Sequence, residues 1–145
     1  MVEDGNPYTI VVMFFSGEEV GLEGSHYASL HPLIEYDKVR LLCNIDMFCG
    51  GDDGLMIFNA RDTLTRPFVE RIERLNEAMD ITSLDLRENR PNSDHYWFTK
   101  HCPALFCLSK GGPAGEYHSP KDTCSSCGLD HYENYLTLLL ALFIP

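Results

Sequence analysis

The sequence predicts a single α/β domain, in which a mostly parallel or mixed sheet lies between helices in a three-layer arrangement. Apolar, β-branched runs alternate along the chain with segments of helical character, and this alternation is typical of an α/β fold. The 145 residues, 44% of them hydrophobic and 23% charged, are enough for one sizeable core. Polar residues directly follow several of the apolar runs, so the sequence places them at the ends of strands.

The first half of the chain predicts three strands and one helix. Residues 8–15, 39–45 and 55–59 are apolar runs that predict strands, and the first is expected to be buried on both faces. Residues 20–30 predict a helix whose small side chains allow close packing. His31-Pro32 is expected to end that helix, because the residue before a proline avoids helical geometry.

The second half predicts a long amphipathic helix and a set of shorter elements. The helix begins at Thr65-Arg66-Pro67, with the proline in its first turn. Its apolar stripe consists of Phe68, Ile72, Leu75 and Met79. The elements that follow are a weak strand at 81–86, a short helix at 94–101, a buried strand at 103–108, a long loop at 110–122 and a terminal helix through Ile144. The spacing of Asp130 and Glu133 is that of a capping box for the terminal helix.

The net charge of −11 disfavours nucleic acids and anionic membranes as partners. The apolar runs at 10–15 and 135–144 are too short to cross a bilayer, and no basic segment precedes the first run. We therefore expect a soluble chain with no membrane span. A signal encoded upstream would make it a periplasmic or secreted protein.

The six cysteines are too widely spaced for a disulfide-dense fold. Cys43, Cys102 and Cys107 lie in apolar surroundings and are expected to be core thiols. Cys124 and Cys127 have the spacing of a redox pair or a zinc knuckle, but no second cysteine pair lies nearby. A local disulfide and two free thiols are equally supported for this pair.

Two adjacent carboxylates, Glu18 and Glu19, follow the first apolar run. Neighbouring residues on a straight strand face opposite ways, so both can share one site only if the chain bends. Gly17 and Gly21 permit such a bend. Like charges side by side repel each other unless a cation or a shared proton offsets them. From spacing alone, a solvated pair in a turn and a functional pair are equally supported.

Polar side chains also stand at the ends of the other predicted strands, where an open α/β sheet forms its ligand crevice. The full set comprises Glu18, Glu19, Asp46, Ser93, Asp94, His95, His118 and Asp122. Carboxylates converging with an imidazole suit a hydrolytic zinc site, in which a further carboxylate takes a proton from water. Taken alone, an Asp after a buried strand, such as Asp46, is more often a helix or turn cap, and a His in a Gly/Pro loop, such as His118, is most often simply exposed. A hydrolase triad made of residues 93–95 is excluded, because consecutive residues cannot form its spatial relay.

Five motifs in order resemble those of the co-catalytic zinc aminopeptidases. They are residues 16–25 (SGEEVGLEGS), 44–47 (NIDM), 93–98 (SDH followed two residues later by Phe98), 103–105 (PAL) and 117–123 (YHSPKDT). That family includes bacterial leucyl aminopeptidases, and its relatives include glutaminyl cyclases, glutamate carboxypeptidase and the inactive transferrin-receptor ectodomain. The motifs extend over nearly the whole chain, and it is their combination that is specific.

The resemblance implies a role for each matching residue. Glu18 would be the general base that deprotonates the water activated by the metal. Glu19 and His118 would bind one zinc ion and Asp46 the other, with two ions in a complete site. Three further residues would have supporting roles. Asp94 and His95 would lie on the substrate side or behind the ligands, and Asp122 would orient the loop of His118.

Two further metal ligands of the family, a His in a His-x-Asp motif and an Asp that bridges the metals, have no counterpart in residues 1–145. We therefore expect the carboxyl-terminal portion of a catalytic domain that lacks the family's first strands, with metal partial or absent and no activity alone. The incomplete sheet is expected to favour self-association. The complete protein is expected to be a metallo-aminopeptidase that acts on peptides. The alternatives are a glutaminyl-cyclase-like acyltransferase and a non-catalytic remnant or binding domain.

Overall fold

A computed structural model describes residues 7–48, 51, 53–111, 118–123, 128–129 and 131–143. Its centre is a four-stranded sheet in the order β1-β4-β2-β3. The strands are β1 (Leu42–Ile45), β2 (Gly54–Phe58), β3 (Leu84–Leu86) and β4 (Ala104–Lys110). The ends of each strand lie within three residues of those of a predicted strand, because propensity marks the presence of a strand better than its ends.

The sheet is mixed. β1 pairs with β4 in parallel, with Leu42 opposite Ala104, and β2 pairs with β3 in parallel. β2 and β4 are antiparallel, with Gly54 opposite Lys110. The carboxyl ends of β1 and β4 therefore point to the same edge of the sheet, and the residues that leave β1 emerge there.

Three α-helices and two 3₁₀ segments complete the described part of the chain. They are α1 (Glu23–Leu30), α2 (Arg66–Met79), α3 (Tyr132–Phe143) and the 3₁₀ segments Tyr36–Lys38 and Asp94–Lys100. α2 confirms the predicted helix, with proline in its first turn and Ile72 of the stripe fully buried. Met79 at the far end of the stripe is 38% exposed, so the core ends before the helix does. None of these helices is long and apolar enough to span a bilayer.

Helical segments pack on both faces of the sheet, which confirms the predicted α/β architecture. One face carries α2 and α3, whose Ile72, Leu138 and Leu139 pack with Leu105 of β4 in a single cluster. On the other face the 3₁₀ segment Asp94–Lys100 covers β4, and its His95 ring lies 5.3 Å from the ring of Phe106. The side chains of Leu105 and Phe106 therefore point to opposite faces of the sheet, as expected for consecutive residues of a strand.

Residues 8–15 are not a strand, and the prediction that they are buried is wrong. The segment forms no sheet pairing in the described structure, and Val12 and Phe14 are 71% and 95% exposed. Phe15 is the exception, since its ring packs against Phe98 at 5.6 Å. β propensity marks a segment that could pair, but a strand also needs a neighbour in register, and local sequence does not supply one.

The helix predicted at 20–30 begins three residues late, at Glu23. Gly21 and Leu22 have φ values of 113° and 60°, so the chain is still turning there. Cys102 and Cys107 are buried, as expected, and the Cys43 and Cys107 sulfurs lie 3.9 Å apart. The proposed cap at Asp130, the Cys124/Cys127 pair and residues 112–117 of the predicted loop lie outside the described residues.

Candidate active site

A tight loop presents the Glu18–Glu19 pair at the amino-terminal end of α1. The Glu18 carbonyl accepts hydrogen bonds from the N–H groups of Gly21 and Leu22, at 3.1 and 2.9 Å. Gly17 has a φ of 68° and Gly21 one of 113°, so both predicted hinge positions adopt the left-handed geometry that glycine favours. The chain therefore bends at the carboxylates, as a shared site requires.

Gly24 holds the base of this loop. Its N–H donates to the Ser16 carbonyl at 2.9 Å. A Cβ atom at position 24 would lie 2.8 Å from the Ser16 nitrogen and closer still to its carbonyl oxygen. Close backbone approach therefore requires glycine here, and it keeps the strand-like segment before Ser16 against the start of α1.

Asp46 leaves the end of β1 at the same edge. Its backbone N–H donates to the Cys107 carbonyl of β4 at 3.3 Å, and its Oδ2 accepts a hydrogen bond from Ser93 Oγ at 2.9 Å. The Ser93 hydroxyl also accepts a bond from Asn44 Nδ2 at 2.7 Å. Asp46 is thus attached to both β4 and the segment that enters Asp94–Lys100.

His118 contacts Glu19 across 99 residues of sequence. Its Nε2 lies 3.0 Å from both Oε1 and Oε2 of Glu19, and the two side chains are 54% and 68% exposed. His118 has a φ of 58°, a left-handed conformation that turns its ring out of the loop 118–123. The structure therefore brings together the two residues that the sequence assigned to one zinc ion.

Glu18 lies in an acidic environment. Burial of its carboxyl group raises its pKa above the ordinary value, and the negative charges of Asp46, Glu19 and Asp94 raise it further. The nearby His118 acts in the opposite direction. Four carboxylates and one imidazole from four separated parts of the chain therefore interact at one rim of the fold.

Asp94 and His95, which the sequence predicts as supporting residues, are partly buried and fully buried respectively. Burial raises the pKa of the Asp94 carboxyl, a nearby Ser25 hydroxyl opposes that shift, and the charge of Asp46 adds to it. His95 is fully buried, so its ring does not face solvent. Its Nε2 lies 3.2 Å from Asn89 Oδ1, and burial lowers its pKa to about 4.

The backbone of Asp122 stabilises the turn that follows His118, because its N–H donates to the Ser119 carbonyl at 3.0 Å. The predicted role of its carboxylate stays a prediction. The structure also adds Asn44, whose amide reaches the site through Ser93. The signal was present, because Asn44 and Asp46 are two residues apart at the end of a strand and so share one face.

The donors at the rim have the chemistry of zinc ligands, since carboxylate oxygens and imidazole nitrogens both bind this ion. Their number is smaller than zinc needs. Among the described residues, no group of three or more His, Cys, Asp and Glu side chains is arranged to hold a metal ion. One surface hollow of about 360 Å³ is lined by residues 61, 85–88 and 90, and another of about 480 Å³ by residues 32–37. Neither set includes a rim residue.

Comparison with solved structures identifies aminopeptidases of the same fold. LapA aminopeptidase of Legionella pneumophila matches 90% of this chain with a TM-score of 0.71 and 22% identity. BSAP, a zinc aminopeptidase from Bacillus subtilis, matches 88% with a TM-score of 0.73 and 22% identity. The aminopeptidase of Aneurinibacillus sp. strain AM-1 matches 89% with a TM-score of 0.67 and 20% identity. No match to the sequence is found among curated proteins.

The chain spans only part of these relatives, namely 37% of LapA, 33% of BSAP and 31% of the Aneurinibacillus enzyme. At these identities the structural likeness establishes the fold. The family follows from the sequence itself, because the model of peptidase family M28 matches residues 2–143. The chain therefore belongs to peptidase family M28.

Proposed function

We propose that this chain is the carboxyl-terminal portion of the catalytic domain of a zinc-dependent exopeptidase that releases amino-terminal residues from peptides. The observation that supports it is the rim itself, where Glu18, Glu19, Asp46 and His118 interact although 100 residues separate the first from the last. Family membership supports a peptidase, and the solved structures of LapA and BSAP are those of aminopeptidases.

Glu18 is the general base in this proposal. A base must be ionised at the working pH and still hold a proton well enough to take it from water. Burial and the three neighbouring carboxylates raise the Glu18 pKa, which improves its proton affinity. Glu18 takes the proton of the attacking water and passes it to the departing amine, while Asp94 remains behind it as a second acidic group.

Glu19 and His118 form one half-set of zinc ligands, and Asp46 belongs to the other. Zinc, when bound, supplies the positive charge that polarises the substrate carbonyl and makes water more acidic. The contact between His118 Nε2 and Glu19 presents one nitrogen and one carboxylate to the same place. Further donors must come from beyond the described residues, so we expect weak zinc binding and no turnover from this chain alone.

The test uses zinc binding and peptide turnover as separate measurements. Isothermal titration of Zn²⁺ into the chain should give a weak signal that Glu19→Gln and His118→Gln each remove, whereas Glu18→Gln retains it. Turnover of a leucyl anilide is measured on the longest product of the gene, where Glu18→Gln should abolish it. Retained turnover in that variant would exclude Glu18 as the base. Release of ammonia from a peptide with amino-terminal glutamine, without anilide turnover, would indicate the cyclase chemistry instead.

We also propose that the chain self-associates through residues 8–15. This segment carries no charge in a chain of net charge −11, and its Ile10, Val12 and Phe14 are 49%, 71% and 95% exposed. Exposed apolar segments that lie outside a sheet can add to the edge of another one. Light scattering should show a dimer or larger species that Phe14→Lys dissociates, whereas Leu64→Lys, at a 56% exposed site beside α2, should not. A monomeric wild-type chain would refute this proposal.

A further inference from the structure

Cys43 and Cys107 are a pair of free thiols on neighbouring strands. Their sulfurs lie 3.9 Å apart, close enough for a weak S–H···S hydrogen bond. In the parallel register of β1 and β4, Cys43 is opposite Leu105 and Cys107 is opposite Ile45. The two cysteines are therefore diagonal neighbours on one face of the sheet, the face that α2 and α3 cover. The proposed peptidase chemistry uses neither sulfur.

The two thiols differ in their access to solvent. Cys107 is fully buried, whereas Cys43 is only partly buried. The hydrogen bond with Cys43 and burial raise the pKa of the Cys107 thiol well above its ordinary value, so this thiol stays protonated at neutral pH. Because a cysteine reacts as the thiolate and needs contact with the reagent, a reagent in solution reacts with Cys43 first. Cys107 then lies next to the modified sulfur as a second thiol.

We infer that Cys43 and Cys107 form a thiol–disulfide exchange site, which low-molecular-weight disulfides such as oxidised glutathione convert to an internal disulfide. Cys43 loses its proton, attacks one sulfur of the reagent and displaces a thiolate, which takes up a proton. The Cys107 sulfur then attacks Cys43 Sγ, the bond between Cys43 and the reagent breaks, and the departing thiolate takes the Cys107 proton. Two protein thiols are thereby oxidised, and one disulfide of the reagent is reduced to two thiols.

Closing the bond requires a small movement of β1. The sulfurs in a disulfide are about 2.05 Å apart, so those of Cys43 and Cys107 must approach each other by about 1.9 Å. Rotation of the side chains supplies part of this approach. β1 supplies the rest, because it is an edge strand that pairs only with β4 in the described sheet. A disulfide that pulls two strands out of register is strained and easily reduced, so the site suits reversible oxidation.

The experiment treats the reduced chain with oxidised glutathione, alkylates the remaining thiols and maps tryptic peptides by mass spectrometry. It requires neither zinc nor turnover, so it is independent of the proposed function. We expect residues 41–61 and 101–110 to be cross-linked through Cys43 and Cys107 in the wild type, and dithiothreitol to restore both thiols. In Cys107→Ala the cross-link should be lost and Cys43 should retain a glutathione adduct. In Cys43→Ala, Cys107 should react no faster than Cys102, a buried thiol whose pKa burial raises to about 11.

Cys49→Ala and Cys102→Ala are the matched controls. Each removes the other cysteine from one of the two linked peptides, and each should leave the cross-link intact. Loss of the cross-link in either control would assign it to a different pair and overturn the inference.

Three further results would also overturn it. A glutathione adduct on wild-type Cys43 as stable as the adduct in Cys107→Ala would mean that the second thiol does not reach the first. Equal reaction of Cys107 in the wild type and in Cys43→Ala would mean that Cys107 reacts without its neighbour. An unmodified Cys43 in the native chain, under conditions that modify it in urea, would mean that this thiol is not accessible. If Cys107→Ala does not fold, the wild-type map decides alone, because it contains the cross-link, the adduct or neither.

Discussion

Substituting Gly24 by alanine tests the packing of the loop that carries Glu18 and Glu19. Helix propensity and packing predict changes of opposite sign in the free energy of unfolding. Alanine in a helix is favoured over glycine by about 1 kcal/mol, so propensity alone predicts a more stable protein. The structure predicts the reverse, because the added Cβ would lie 2.8 Å from the Ser16 nitrogen. Overpacking of this kind costs about 1–3 kcal/mol.

The hydrogen bond from the Gly24 N–H to the Ser16 carbonyl, 2.9 Å long, would be stretched or broken as the loop moves away. Its loss costs about another 1 kcal/mol. After the gain in propensity is subtracted, Gly24→Ala should lower the free energy of unfolding by about 1–3 kcal/mol. For a domain of this size, that corresponds to a fall in Tm of about 5 °C.

Urea unfolding followed by tryptophan fluorescence is the appropriate assay, because the chain has one tryptophan and it reports on this region. The Trp97 ring stacks on His26 of α1 with 4.0 Å between centroids. Ala78→Gly, on the exposed side of α2, calibrates the propensity term and should cost about 1 kcal/mol. A Gly24→Ala protein as stable as the wild type, or more so, would refute the close approach of Gly24 to Ser16.

Four further changes have defined outcomes. Burial holds the pKa of His95 at about 4, below its unfolded value of about 6.5. The contribution of neutral His95 to the free energy of unfolding is therefore complete above about pH 6.5 and falls by about 3 kcal/mol as the pH approaches 4. Urea titrations at several pH values should show this fall in the wild type and not in His95→Phe. Thr65→Val removes a buried hydroxyl that donates to the Asn59 carbonyl and should cost about 1–3 kcal/mol in the same assay. Leu138→Ala empties a fully buried site between α3 and the sheet and should cost about 2–5 kcal/mol, and a smaller loss would show that the core collapses around it. Glu18→Gln should unfold at a higher urea concentration than the wild type at pH 7, since ionised Glu18 is disfavoured in the fold, and an unchanged midpoint would mean that the neighbouring charges are screened.

The parts of the fold that local sequence determines were predictable. α2 follows from Pro67 and a stripe of apolar residues, both of which act within a few turns of helix. The prediction of a buried strand at residues 8–15 was wrong because burial of a strand depends on what lies beside it. The apolarity of Val12 and Phe14 does not specify a neighbour. The prediction that Glu18 and Asp46 would meet rested on topology, because both follow segments that lead to one edge of the fold.

Motifs brought Glu19 and His118 together in the prediction, but contacts that no motif marks were beyond reach of the sequence. The bond between Asn44 and Ser93 joins residues 49 apart, and nothing in either local pattern indicates the other. His95 illustrates a second limit, because its motif allowed a position on the substrate side or behind the ligands, and only the structure shows that its ring is fully buried against Phe106. A motif predicts which residue types occur together, but the direction in which each side chain points depends on the packed structure.

The electrostatics of the rim are difficult to explain as a device for stability. Glu18 has its pKa raised by Asp46, Glu19 and Asp94, and the neighbouring group that acts in the opposite direction is the exposed imidazole of His118. A domain selected for stability alone would separate these carboxylates or replace one by an amide, since like charges in partly buried positions oppose folding. Gly17, Gly21 and Gly24 nevertheless shape the chain so that the carboxylates are held together. The arrangement therefore supports the proposal that a cation completes this rim, as in a metallopeptidase site.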